Sequence, residues 1–290
     1  MFEIKTHSKC IITGEHSVLR GKSAIAVPLK DKFLKFIFKP GGKKLDIIFN
    51  SNSKIMQLLF NNVFNIVLSK ISEKVIDIKG KLIIESTLSF GSGLGSSAAL
   101  CSAISLWLKE LNVIKKDQVF DFAKSLEDSF HGTSSGVDIA AALSSSTILF
   151  NINSGFKKVN FKNSPFLALS NSESKGSTKK AVLQVQNWIK KNHKIHAKLD
   201  NAIQKATDLI LETKNLSRTQ SVPFFKEAFD LSKNSFNKWG LITTDLQKHM
   251  LDLKSSGAIA TKPSGAGLGG CVLSLWTTKP KDKNLTLIKL

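Results

Sequence analysis

Residues 91–99 read GSGLGSSAA, and the three glycines and three serines in Gly91–Ser97 cannot build a core. They leave main-chain N–H groups uncovered, and residues without a Cβ let a ligand come close to them. The stretch follows a strand candidate, KLIIES (81–86), and runs directly into SAALCSAISLWLKEL (97–111), an Ala- and Leu-rich helix. A helix head offers unsatisfied donors and the positive end of the dipole, a setting suited to phosphate. The same glycines equally suit a tight turn that feeds a packed helix. Two phosphate loops are excluded. There is no Gly-Lys-Ser/Thr ending, and Gly91, Gly93 and Gly95 give G-x-G-x-G rather than G-x-G-x-x-G. Three other segments carry reactive side chains or a second cradle. Lys9 stands in SKCIITGEHSVLRGKSAIAV, where Gly14, Glu15 and His16 follow a strand-like run. HGTSSGVD (131–138) ends a polar stretch on Asp138, and KPSGAGLGG (262–270) is a second glycine-rich turn able to hold an anion.

The elements that must position these residues follow from hydrophobic spacing. FLKFIF (33–38) and LDIIFN (45–50) read as strands, and KPGGKK between them predicts a hairpin turn. KIMQLLFNNVFNIVLSKI (54–71) has the three-and-four spacing of an amphipathic helix, and QVFDFAKSLEDSF (118–130) reads as another. STILF (146–150) is a strand. NINSGFKKVNFKNS (151–164) reads as a loop and places a domain boundary, giving 1–160 and 161–290. FLALS (166–170) is a strand. Helices then cover 178–192 and 197–213, with a helix pair between 222 and 255. GAIAT (257–261) and CVLSLW (271–276) are strands around the second glycine turn, and LTLIKL (285–290) is an edge strand. Strands mixed with helices, without regular alternation, predict an α+β chain in two parts.

Composition limits the function classes. The chain carries 42 basic and 22 acidic residues, a net charge of +20. Arg20 and Arg218 are its two arginines, and the remaining basic residues are lysines scattered without interleaved aromatics. That pattern argues against a nucleic-acid reader, which uses clustered arginine forks. It suits an anionic small substrate. No apolar run approaches the roughly 20 residues of a membrane helix, and the first residues lack a signal-peptide pattern. Cys10, Cys101 and Cys271 are far apart and odd in number, which predicts a reducing cytoplasm rather than a disulfide framework.

Taken together, KCIITGEHSVLRGKSAIAV, GSGLGSSAA and KPSGAGLGGCVLSL resemble, in order, the three motifs of the GHMP kinase superfamily, and they span nearly the whole chain. Within it GEHSVLRGKSAIAV, HGTSSGVD and GSTKKAV (176–182) look most like the mevalonate kinase branch. The resemblance implies a two-domain fold, a ribosomal protein S5 domain 2-like N-terminal domain followed by a ferredoxin-like domain. It implies ATP and Mg²⁺ as cofactors and mevalonate as acceptor, with two alternatives: another GHMP kinase, such as one acting on phosphomevalonate, or a catalytically silent ligand-binding member of the family. Gly91, Ser92, Gly93, Leu94, Gly95, Ser96, Ser97 and Ala98 would meet the ATP phosphates, with Gly265 and Gly267 from the C-terminal loop. Ser97 and Glu127 would hold the metal, Asp138 would take the hydroxyl proton, and Lys9 would pair with Asp138. Glu15, His16, Thr178, Gly265 and Ala266 would line the acceptor pocket. A cytoplasmic protein with no nucleic-acid or membrane partner is implied, and a homodimer is left open.

Simpler roles compete with these. Asp138 suits the cap of a helix beginning near Ile139, Glu127 a solvent-facing acid beside Asp128, and His16 a hydrogen bond inside the fold. Cys271 reads as core. The chain also departs from the family pattern. Leu88, Ser89 and Phe90 precede its central loop where a proline is usual, and Leu268 stands where many members have glycine.

Overall fold

A computed structural model describes residues 1–50, 54–75, 78–88, 93–132, 134–174 and 176–290. Two long strands open the chain, β1 (Phe2–Thr13) and β2 (Ala24–Pro40). The described residues fall into two compact units. One takes Met1–Lys9, Pro28–Phe90 and Gly95–Ser145, and the other Cys10–Val27, Gly91–Leu94 and Ser146–Leu290.

In the first unit β3 (Leu45–Phe49), α1 (Lys54–Val75) and β4 (Gly80–Ser86) follow β2, and then come α2 (Ser96–Glu110), α3 (Val119–His131) and α4 (Val137–Leu143). The hairpin expected across KPGGKK does not form. β2 pairs antiparallel with β4 from Leu34↔Ser86 to Pro40↔Gly80, and β3 pairs with β4 in parallel. The reason is topological. α1 carries the chain back across the sheet, so β4 lies parallel to β3 and occupies the place beside β2 that a hairpin partner would have taken. Phe36, Phe38, Phe60, Trp107, Leu126 and Ile139 meet in one core, with the Phe38 and Trp107 rings 5.7 Å apart. α2 is buried almost all round, which its Ala-rich sequence allows.

In the second unit residues 24–26 of β2 pair with β5 (Ile148–Asn151). β5 pairs in turn with β6 (Gly155–Lys158), a short strand inside the segment expected to be loop. β7 (Phe166–Asn171) is followed by α5 (Thr178–Lys191), α6 (His196–Glu212), α7 (Arg218–Lys238) and α8 (Thr244–Ser255). The chain closes with β8 (Ala260–Ser264), β9 (Cys271–Trp276) and β10 (Thr286–Ile288). The sheet order is β10-β7-β9-β8. Numbered within this sheet, that is 4-1-3-2, the order of the ferredoxin-like sheet. β8 starts three residues later than GAIAT suggested and runs through Pro263. An edge strand tolerates Pro263 because its missing N–H is needed by no neighbour. β10 is the opposite edge, as expected. The α+β reading holds, and Cys271 is buried in β9. Among the described residues no helix is long and apolar enough to cross a membrane.

Candidate active site

The first unit gathers one cluster around the head of α2. Gly95 is the residue before the helix, with φ +75°, and the first helical bond runs from the Ala99 N–H to the Gly95 carbonyl. The N–H groups of Ser96, Ser97 and Ala98 therefore precede the ladder, at the positive end of the dipole. Only glycine fits at 95. A Cβ there would lie 2.9 Å from Lys9 Cε and 3.6 Å from an Asp138 carboxylate oxygen. Lys9, delivered by β1, is buried, and its Nζ lies 3.1 Å from Asp138 Oδ2. Asp138 sits in the first turn of α4, whose cap residue is Gly136, and its side chain stays about 29% exposed. It pairs with Lys9, and the cap residue, Gly136, has no side chain to close this helix.

α3 supplies Glu127. Its side chain is buried to 3% exposure, which removes the competing role of a solvent-facing acid, while Asp128 next to it faces Lys124 and the Ser134 N–H. Ser97 Oγ donates to Glu127 Oε1 at 3.4 Å, and Glu127 Oε2 is buried with no partner. Burial, and then the charge of Asp138, push the Glu127 carboxyl up to about 8. Two close acids, one lysine and an orphaned carboxylate oxygen make a pocket short of positive charge.

The second unit holds the remaining predicted residues. At Gly14 a Cβ would strike Ala24 at 2.3 Å, so β1 ends in a turn that only glycine fits. Glu15 and His16 are buried. Glu15 Oε1 lies 2.6 Å from Lys262 Nζ on β8, both side chains being out of solvent, and Glu15 Oε2 has no partner. His16 Nε2–H donates to the Ala266 carbonyl at 2.8 Å in the β8–β9 loop. Burial pushes the imidazole down to about 4, so it is neutral and its Nδ1 is an acceptor. Gly265 and Gly267 take positive φ, and a Cβ on Gly265 would lie 3.7 Å from the Gly93 carbonyl oxygen. Leu268 also has a left-handed backbone, φ 60°, with its N–H on the Leu241 carbonyl at 2.8 Å. Thr178 is exposed at the start of α5, after Gly176, which packs on Gly267 and Gly269. Leu94 is half-buried and Gly93 exposed. Gly91, Ser92 and Thr133 lie outside the described residues.

Two groups escaped sequence reasoning. Lys262 opens the quoted KPSGAGLGG segment, so its place before the loop was a usable signal. Asp200, buried on α6, binds Ser17 and Arg20 from about 180 residues away, and no local pattern marks it.

A family model described as GHMP kinases N terminal domain matches residues 59–146. Mevalonate kinase of Pyrococcus furiosus is 26% identical over 310 residues, covering 95% of this chain and 89% of its own. The crystal structure of L. major mevalonate kinase in complex with R-mevalonate matches with TM-score 0.75 and 23% identity, covering 96% of this chain and 88% of its own. Methanococcus jannaschii mevalonate kinase matches with TM-score 0.74 and 22% identity, covering 99% and 96%. The chain has the GHMP kinase fold and is most like mevalonate kinase. Within that fold, the matched segment takes in the α2 head, Glu127 and Asp138. Lys9 and the β8–β9 loop lie outside it.

Proposed function

We propose that this GHMP-fold protein transfers the γ-phosphoryl group of ATP to the primary hydroxyl of mevalonate, giving 5-phosphomevalonate and ADP. The observation that carries the reading is the Lys9–Asp138 pair packed under Gly95 at the head of α2, where donors for phosphate and a base for an alcohol adjoin. Relatives along nearly the whole chain that are mevalonate kinases support the choice of acceptor.

Asp138 keeps part of its carboxylate open, so it can accept the hydroxyl proton as the substrate oxygen forms its bond to the γ-phosphorus and the bond to the β–γ bridging oxygen breaks. Lys9, held in place by burial, ion-pairs with Asp138 and offsets charge that builds on the attacking oxygen. The N–H groups at the α2 head would receive the phosphates. Ser97 and Glu127 fit a hard cation. The Glu127 side chain has a buried carboxylate oxygen with no hydrogen-bond partner. Bound there, Mg²⁺ would neutralise phosphate charge while keeping most of its shell for phosphate oxygens and water. Glu15 and the neutral His16 would meet the acceptor as hydrogen-bond acceptors.

An ADP-release assay across mevalonate, phosphomevalonate, galactose and homoserine tests the reading. Turnover is expected with mevalonate in clear preference to the others. Turnover confined to phosphomevalonate would move the assignment to the next kinase of the superfamily.

A further inference from the structure

Glu15, His16 and Ser17 form a strained turn. The Ser17 N–H donates to the Glu15 carbonyl at 2.6 Å, and His16 between them has φ 60° and ψ −46°. This is the positive-φ γ-turn, which is rare and persists only where the surroundings over-determine it. Lys262 holds Glu15, and the Ala266 carbonyl holds His16. The third hold comes from α6. Asp200 Oδ1 accepts from Ser17 Oγ at 2.7 Å, and its two oxygens accept from Arg20 Nε and a terminal Arg20 nitrogen at 2.6 and 2.5 Å. Arg20 also lies 5.9 Å from the Trp239 ring, against which His16 packs edge-on.

The rest of that face continues the grip. Gln204 accepts from the Ser23 N–H at 2.8 Å, and Thr207 bonds Thr13 at 2.9 Å. Positions 200, 204 and 207 lie on one side of a helix. One stripe of α6 therefore reads the main chain and side chains from Thr13 to Ser23, on either side of the turn. A bidentate carboxylate–guanidinium contact with a hydroxyl on the same oxygen fixes direction as well as distance.

We propose that Asp200 is a positioning residue for the acceptor. By clamping Ser17 and Arg20, it keeps the Glu15–His16 turn in the strained form that presents both side chains to the alcohol. This rests on the acceptor role given above to Glu15 and His16. It predicts an asymmetric kinetic effect, because the clamp touches the acceptor-binding segment and not the Lys9–Asp138 pair.

The test compares wild type with Asp200→Asn, Asp200→Glu and, as a control on the same helix, Asn201→Ala. Asp200→Asn is expected to raise the KM for mevalonate at least fivefold while the KM for ATP stays within about twofold. Asp200→Glu restores the charge and is expected to recover part of the loss. Hydrogen exchange reads the clamp without any substrate. Amides of residues 14–21 should exchange at least tenfold faster in Asp200→Asn, with those of α2 and α3 unchanged. Equal loss of both KM values, or unchanged exchange at 14–21, overturns the clamp. If wild type fails to phosphorylate mevalonate but exchange at 14–21 still accelerates, the acceptor assignment has failed and the clamp stands. Asn201→Ala should leave every readout near wild type, since its contact with Lys22 is exposed. A control that behaved like Asp200→Asn would overturn the assignment to this residue.

Discussion

At the scale of single residues, the decisive contrasts are between side chains of the same type. Glu127 and Asp128 are neighbours in sequence, yet one faces Ser97 out of solvent and the other pairs with Lys124. Position alone did not separate them, because which side of α3 meets α2 depends on packing. Asp138 is the carboxylate with both a fixed cation and an open side, so Asp138→Asn should lower kcat by about 10²–10⁴-fold, the usual range for loss of a general base. Retained nucleotide binding, measured by titration with a fluorescent ATP analogue, is the accompanying expectation. Turnover near wild type would remove the role. His16 makes a second prediction. Its folded value of about 4 lies below the unfolded 6.5, so acid favours the unfolded chain. Its stabilising contribution is whole above pH 6.5 and is lost as pH falls toward 4, by about 3 kcal/mol at most. Urea melts should show wild type weakening across that window, and His16→Gln, which still offers a donor to Ala266, should flatten the slope.

At the scale of elements, the junction from the central loop into α2 does the positioning. The helix head needs a left-handed residue there, and Lys9 from β1 needs the space that a side chain would fill. Gly95→Ala sets both needs in conflict. The backbone strain amounts to roughly 1–2 kcal/mol, and the added methyl meets Lys9 Cε at 2.9 Å. A modest drop in melting temperature with at least a tenfold loss of kcat is expected by calorimetry and steady-state assay. A large unfolding effect with normal residual turnover would show that the glycine serves folding alone. The strands teach a complementary lesson. FLKFIF and LDIIF were legible as strands from their composition, but their partner was not. β4 is claimed by both, and a parallel crossover is invisible to a local turn signal such as KPGGKK.

At the scale of the whole molecule, a net charge of +20 acts on association more than on fold. If ATP is the substrate, a lysine-rich surface speeds its encounter, and salt screens that pull over a Debye length of about 8 Å at physiological strength. kcat/KM for ATP should therefore fall severalfold as ionic strength rises to about 0.5 M, with kcat nearly constant. A flat salt profile would mean the charge serves solubility only. Hydrophobic spacing and glycine placement in the sequence determined the mixed α+β character, most of the helices, the glycine loop at a helix head and the order of the motifs, because these are set by residues close along the chain. Tertiary structure alone decided the rest: that Glu127 is buried, that Glu15 meets Lys262 and that Asp200 grips Ser17 and Arg20. Each of those contacts joins residues far apart in sequence, and only the packing of helices and sheets brings such residues within hydrogen-bonding range.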